Sequence, residues 1–471
     1  MKVTYYPFLI LCLTLWGMTL TAQQSAKITI DLKGLNDSLL YLASYGGDKQ
    51  FVVDTAAHAK NGSYVFKPGK LLDQGMYIIV DASKKRLFDF IIGQEQTFTI
   101  SGNTSQLPSS LISKGSTENQ LLFDYMRFLA ERQKQQAALK EQLKKHLPQS
   151  DSAKFLMNQT EELNNQVQSH ITALIAQHKG TFFADFLKAM QEPELPLIEG
   201  NTRADTLSRY KAYKDHFWDN IDLSDDRLIR TPVIHPKVEQ YLNRLTSPLP
   251  DSLITAVDLL LHKTGNSYEA FKYLMWYLTI KYEGSEIMGY DAIFVHLVDT
   301  WYNDPRMDWM NAGVKQNLIA RAKTLKPLLI GKPAPEMILF DTLMQPHSLY
   351  NIQAKYILIY FWDPDCGHCK KETPLLRDFY KNNKETYDLE VYAVCMDTSW
   401  KDMKTYIRKN ETIWINVNGF YSMTPDFREL YDVHSSPVMF LLDKKKTIIA
   451  KRLLSEQMET YIRQREKMPK E

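Results

Sequence analysis

Cysteine is scarce in this chain: 471 residues carry only four. Cys12 lies in an apolar run near the start, which leaves Cys366, Cys369 and Cys395 for the body of the protein. So few thiols exclude a disulfide framework, and cohesion must come from hydrophobic cores. An excess of one charge is also missing. The net charge is +2, and no basic stripe with interleaved aromatics occurs, which argues against a nucleic-acid partner. No repeat of fixed period signals a solenoid. His216, His235 and His296 are scattered in no metal-ligand pattern, and there is neither a second CxxC nor an HxxxH.

What is present is ample apolar material, 44% of residues, enough for several cores. At roughly 100–200 residues per domain the length suggests two to four domains. The first residues read as an export signal. Lys2 is the only charge before Lys27, and the apolar run "FLILCLTLWGMTLTA" extends from Phe8 to Ala22. Cleavage after Ala22 is expected, so that residues 1–22 are a signal peptide. The competing reading is an uncleaved anchor in the inner membrane, but the run is shorter than the about 20 residues a spanning helix needs. Ile10 and Leu11 precede Cys12 where a lipid-modified cysteine would need small residues.

Composition shifts divide the remainder into a multidomain α+β chain. Residues 27–107 hold short runs rich in β-branched and aromatic residues, such as "AKITIDL" and "GMYIIVDA", separated by Gly, Asn and Asp. They predict a small all-β domain, a sandwich or a partly closed barrel. Residues 115–328 have helical spacing and predict a central α-helical domain, with Ser150 or Asp151 capping its second helix. Tyr273, Trp276, Tyr277, Tyr282, Trp301 and Tyr302 suggest a pocket, yet at helical spacing they read as core. From 329 to 471 strands alternate with helices. "YILIYFWD", "LEVYAVCMD" and "WINV" read as strands, and "PVMFLLD" with "TIIAKRL" as a closing pair. This pattern predicts an α/β domain with a largely parallel sheet and an antiparallel pair at its end. Cys395, inside an apolar strand, reads as a small buried hydrophobe.

The chemistry concentrates in "FWDPDCGHCKKETPLL", Phe361 to Leu376. Cys366 follows a strand and opens a helix. A thiol there meets unpaired backbone N–H groups and the positive end of the helix dipole, both of which favour thiolate. Cys369 lies one turn on, close enough to form a disulfide. Cys366 would attack a substrate disulfide, and Cys369 would resolve the mixed disulfide. A zinc site fails on ligand count, because Cys366, His368 and Cys369 are too crowded to serve together.

The order strand, FWxxxCxxC, proline-bearing helix resembles the thioredoxin superfamily, and within it the exported TlpA/ResA-like branch. "CKKETP", "YDVHSSPVMFLLD" and "IGKPAPEMIL" carry the likeness over residues 329–471. It implies a thioredoxin-like fold, a redox-active Cys366–Cys369 pair and no cofactor. It also implies a cis-proline at Pro437, with Trp362, Ser436 and Pro437 facing the substrate. Tyr360 stands where thioredoxin has a buried aspartate, so proton handling passes to Glu372. The implied partners are disulfide-containing envelope proteins and a membrane or periplasmic thiol donor. The upstream regions resemble accessory parts of Bacteroidetes-type envelope proteins. His368 is the residue of disulfide isomerase-like sites, more oxidising than thioredoxin by roughly 90 mV. Asp363 and Asp365 act in the opposite direction on the thiolate. The branch is mostly reductive, which implies a reductase in the periplasm or cell envelope. A thiol peroxidase would need a Thr and Pro pattern that "DPDCGHC" lacks. A chiefly binding role for the upstream regions is the alternative of another class.

Overall fold

The computed structural model describes residues 25–59 and 62–467. The signal-like run expected over residues 1–22 lies outside them. Among the described residues no helix is long and apolar enough to cross a membrane. The chain forms two compact units. One contains the residues up to Asp205, with 215–221 and 227–236; the other contains 206–214, 222–226 and the residues from Lys237 onward.

Among the described residues the first unit opens with eight strands: β1 (Lys27–Lys33), β2 (Leu39–Gly46), β3 (Lys49–Ala57), β4 (Tyr64–Phe66), β5 (Gly75–Val80), β6 (Arg86–Ile92), β7 (Thr97–Asn103) and β8 (Ile112–Lys114). They make two four-stranded sheets, ordered β4-β1-β7-β8 and β3-β2-β5-β6. Phe90 and Phe98 meet edge to face across them, ring centres 6.0 Å apart, as in a sandwich. Three helices follow, α1 (Thr117–Leu143), α2 (Asp151–Gln177) and α3 (Phe182–Ala189). Ser150 caps α2, its hydroxyl accepting from the Ala153 N–H at 3.2 Å. The exposed edge of β6 is partly covered by α1. The fully buried Asn119 accepts from the Ile91 N–H and donates to the Ile91 carbonyl, both at 2.7 Å. One side chain thus satisfies two backbone groups that an edge strand leaves open.

Three helices, α4 (Arg203–His216), α5 (Asp226–Ile229) and α6 (Ile234–Asn243), contribute to both units. The second unit continues with α7 (Pro250–Lys263), α8 (Tyr268–Glu283), α9 (Asp291–Trp301) and α10 (Ala312–Leu325). Tyr273, Tyr282, Trp301 and Tyr302 are buried here, and Trp276 and Tyr277 are partly so. The aromatics are mostly core. Asp258 accepts from Trp301 Nε1 at 2.8 Å and pairs with His296 Nε2 at 2.8 Å.

The rest of this unit comprises β9 (Ile338–Asp341), β10 (Pro346–Ser348), β11 (Tyr356–Trp362), α11 (Gly367–Tyr387), β12 (Leu389–Cys395), α12 (Trp400–Asn410), β13 (Ile415–Ser422), α13 (Phe427–Tyr431), β14 (Val438–Asp443), β15 (Ile448–Lys451) and α14 (Ser455–Lys467). The strands form one sheet, ordered β10-β9-β13-β12-β11-β14-β15. Only β11–β12 and β12–β13 pair in parallel; the other four pairings are antiparallel. The expectation of a largely parallel sheet is therefore corrected. A continuous apolar run reports burial on both faces and is silent on direction.

All seven residues of β11 are buried, as a central strand requires. Alternation splits them between two cores. Leu358, Tyr360 and Trp362 point towards Cys369, Tyr406 and the helices α11, α12 and α14. Ile357, Ile359 and Phe361 point to the opposite face, with Phe427 and Tyr431 of α13. On β15, Lys451 is buried. Its ammonium pairs with Asp291 at the start of α9 and donates to the Leu328 carbonyl at 2.8 Å. Burial holds the Lys451 pKa below the usual lysine value, although Asp291 acts against it. Replacing Asp291 by Ala strands a buried charge and should cost about 3–5 kcal/mol in urea unfolding. An Asp291→Leu/Lys451→Met double variant should recover most of that loss. A single-variant cost below about 1 kcal/mol would mean that the pair is solvated.

Candidate active site

The turn before α11 is built by its own side chains. The Asp363 carboxylate accepts from the Asp365 N–H at 2.7 Å, and the Asp363 carbonyl accepts from the Cys366 N–H at 3.2 Å. Such an Asx turn ends β11 and starts the helix one residue after Cys366. Cys366 therefore occupies the N-cap, where its sulfur accepts from the Cys369 N–H at 3.4 Å. A sulfur replaces the usual capping oxygen. Pro374 stands inside α11, which continues to Tyr387.

The two thiols have opposite surroundings. Cys366 is half-buried and Cys369 is fully buried. Partial burial pushes the Cys366 pKa up, but it is outweighed by hydrogen bonds from the Ser436 side chain, from the Cys369 N–H and thiol, and from the His368 N–H. The net direction is below an ordinary thiol. Burial pushes Cys369 up to about 11, aided by its hydrogen bond to Cys366. The opposing influence of Asp365 is weak, because its carboxylate is 96% exposed and lies 4.0 Å from Lys370 Nζ. His368 is exposed, and its contribution to Cys366 is its backbone N–H. Cys395 is buried in β12 and pushed up to about 12 by burial.

The segment before β14 faces the pair. The Ser436–Pro437 peptide is cis, and the Ser436 carbonyl accepts from the Cys366 thiol at 3.2 Å. Ser436 and Pro437 are both partly open to solvent. Trp362 is buried at the end of β11, its ring stacked on Tyr406 with centres 4.5 Å apart. Glu372 lies one turn beyond Cys369 on the same helix face and is also buried. Its carboxylate accepts from the Ser455 N–H at 2.6 Å, which satisfies an orphan donor at the start of α14. The fold thus brings together Cys366, Cys369, Ser436 and Pro437. Trp362 and Glu372 lie beneath them in the core.

Sequence reasoning did not anticipate the hydroxyl cluster below Cys369. Tyr406 donates to the Cys369 carbonyl at 3.0 Å, and its hydroxyl lies 2.9 Å from Thr373 Oγ1. Tyr360 Oη lies 2.8 Å from the same Thr373 oxygen. Burial raises the Tyr360 pKa far above the usual tyrosine value, and Cys369 and Glu372 act in the same direction. Thr373 shares a helix face with Cys369 and Tyr360 shares a strand face with Trp362, so spacing contained two of the three. Tyr406 arrives from a separate helix, and nothing local announces it.

Residues 353–448 match the family described as thioredoxin-like. This stretch of the chain is a thioredoxin-like domain. Two families of unassigned function match residues 26–122 and 152–323. The thioredoxin-like domain is similar to the thiol–disulfide oxidoreductase ResA of Bacillus cereus, with 25% identity over 143 residues, 28% of this chain and 76% of the relative. ResA of Bacillus subtilis is 25% identical over 119 residues, 25% of this chain and 64% of the relative. Among solved structures, a domain of a possible thiol–disulfide isomerase from Cytophaga hutchinsonii is 39% identical. That match covers 30% of this chain and 95% of that one, with a TM-score of 0.29.

The thiol asymmetry predicts ordered alkylation. In the fully reduced protein at about pH 8, iodoacetamide should modify Cys366 first, with a pH midpoint below that of an ordinary thiol. Cys369 should stay unmodified until the pH approaches about 11. Mass spectrometry of the digested protein reads the order, and equal rates at the two sites would contradict the assignment.

Proposed function

We propose that the protein is an exported thiol–disulfide oxidoreductase that reduces disulfides of envelope proteins through its CGHC pair. The observation that carries this reading is the asymmetry of the two sulfurs. One is half-open, hydrogen-bonded and acidic; the other is buried and protonated, one helical turn away. The relatives named as thiol–disulfide oxidoreductases support it. The apolar run from Phe8 to Ala22 supports export.

The chemistry follows from that asymmetry. The Cys366 thiolate attacks one sulfur of the substrate disulfide. A Cys366–substrate S–S bond forms, the original S–S bond breaks, and the other substrate sulfur leaves as a thiolate that takes up a proton. Cys369 then loses its proton and attacks Cys366. The intramolecular disulfide forms and the second substrate thiol is released. Two electrons have moved from the pair to the substrate, and a dithiol donor in the membrane or periplasm returns them by the same exchange in reverse. A thiol held near pKa 11 is deprotonated in only about one molecule in ten thousand at neutral pH, so the second step needs a base. Glu372 is the carboxylate on the same helix face, and it takes that role in this reading.

Cys369→Ser should accumulate mixed disulfides with partner proteins on non-reducing gels, whereas Cys366→Ser should accumulate none. Equal trapping by both, together with no reduction of insulin by the full chain, would sink the reading. Glu372→Gln should slow release of the mixed disulfide by about 10²-fold and flatten its pH dependence. Lower thermal stability with an unchanged pH profile would instead limit Glu372 to holding the start of α14.

A further inference from the structure

Beside Ser436 the second unit opens a cleft of about 500 Å3. One wall belongs to the thioredoxin-like part: Ser435, Pro437 and Val438, with Arg452 and Leu454 after β15. The facing wall comes from outside that domain, from residues 285–289 between α8 and α9. Met288 of this segment packs against the same core that holds Cys369, Trp362 and the partly buried Cys366.

The charges around the cleft are largely consumed among themselves. Lys451 pairs with Asp291, Arg321 pairs with Glu283, and His434 lies 3.5 Å from Asp432. Glu286 and Arg452 are exposed charges of opposite sign, and the Arg452 guanidinium makes a long 3.4 Å contact with the Ser285 carbonyl. The same lining carries exposed apolar side chains, Ile287 at 59% and Leu454 at 49% accessibility. This balance disfavours a phosphate, a nucleic acid or a polyacidic chain. It suits an uncharged stretch of polypeptide that offers backbone and one apolar side chain. The position selects the same occupant. Ser435 and Pro437 flank the carbonyl that lies 3.2 Å from the Cys366 sulfur. A polypeptide joined to that sulfur therefore starts next to one wall of the cleft.

We propose that residues 285–289 are a specificity wall of the redox site. They take an apolar side chain from the polypeptide next to the substrate cysteine, so that extended protein segments are preferred over small disulfides. This rests on the oxidoreductase reading and names its substrate class: a disulfide in an accessible, extended segment with an apolar neighbour. The wall adds no chemical step to the exchange described above. It acts on which disulfide reaches Cys366.

The test uses the full chain, reduced, with three probes. The first is hydroxyethyl disulfide, too small to span the cleft. The second is a cysteine peptide with leucine beside the cysteine, held as its glutathione mixed disulfide. The third is the same peptide with glycine in place of leucine. The Ile287→Ser/Leu454→Ser variant alters two exposed side chains, and its thermal unfolding is compared with the parent. Relative to hydroxyethyl disulfide, kcat/KM for the leucine peptide should fall about tenfold in the variant, while the ratio for the glycine peptide stays near its parent value. Unchanged ratios for both peptides would overturn the wall, as would equal losses for both. Failure of the parent chain to reduce any of the three would overturn the oxidoreductase reading, and the wall with it.

Discussion

The contact between the Cys366 sulfur and the first turn of α11 is the constraint on which the site depends. A helix start leaves backbone N–H groups without partners, and here a sulfur at 3.4 Å takes one of them. The same contact does two things. It begins the helix, and it lowers the proton affinity of the thiol. Folding and reactivity therefore draw on one interaction, and neither can be changed without the other. The Asp363 turn holds the sulfur there, and the Ser436 carbonyl meets it from the opposite side.

The buried end of the pair depends on β11. Because the strand is covered on both faces, its even-numbered residues Leu358, Tyr360 and Trp362 deliver a dense layer directly under Cys369. Desolvation in that layer keeps the second thiol protonated until the first has reacted. The tyrosine hydroxyls do not hang unsatisfied in it, since Thr373 and the Cys369 carbonyl receive them. Where thioredoxin-type sites are implied to hold a carboxylate, this chain places a phenol, and the nearby carboxylate enters from the helix as Glu372. Its bond to the Ser455 N–H ties that carboxylate to the closing helix as well.

Much of the site was legible in local spacing. The strand-to-helix junction, the N-cap position of Cys366 and the buried character of Cys395 all follow from neighbours a few residues apart. Hydrophobic periodicity likewise separated strand-rich from helix-rich regions. It could not supply strand direction, because antiparallel β14 beside β11 is as uniformly apolar as a parallel strand would be. The strand β3, "KQFVVDTAA", is largely exposed and carries little apolar alternation, so no core-facing pattern announced it. The helical region likewise carried no mark of its division, with α1–α3 in one compact unit and α7–α10 in the other.

The sequence by itself determined the chemistry that is local in the chain: a CxxC at the mouth of a helix, with the first sulfur exposed to backbone donors and the second one turn deeper. Such features need only covalent spacing and helix geometry. Tertiary structure alone decided what lies around the pair: Ser436 against Cys366 across 70 residues, Tyr406 under Cys369 across 37, and the 285–289 segment lining the cleft beside Pro437. These contacts come from the burial of separate apolar faces against one sheet. No pattern within any single segment encodes which partner such a face will meet.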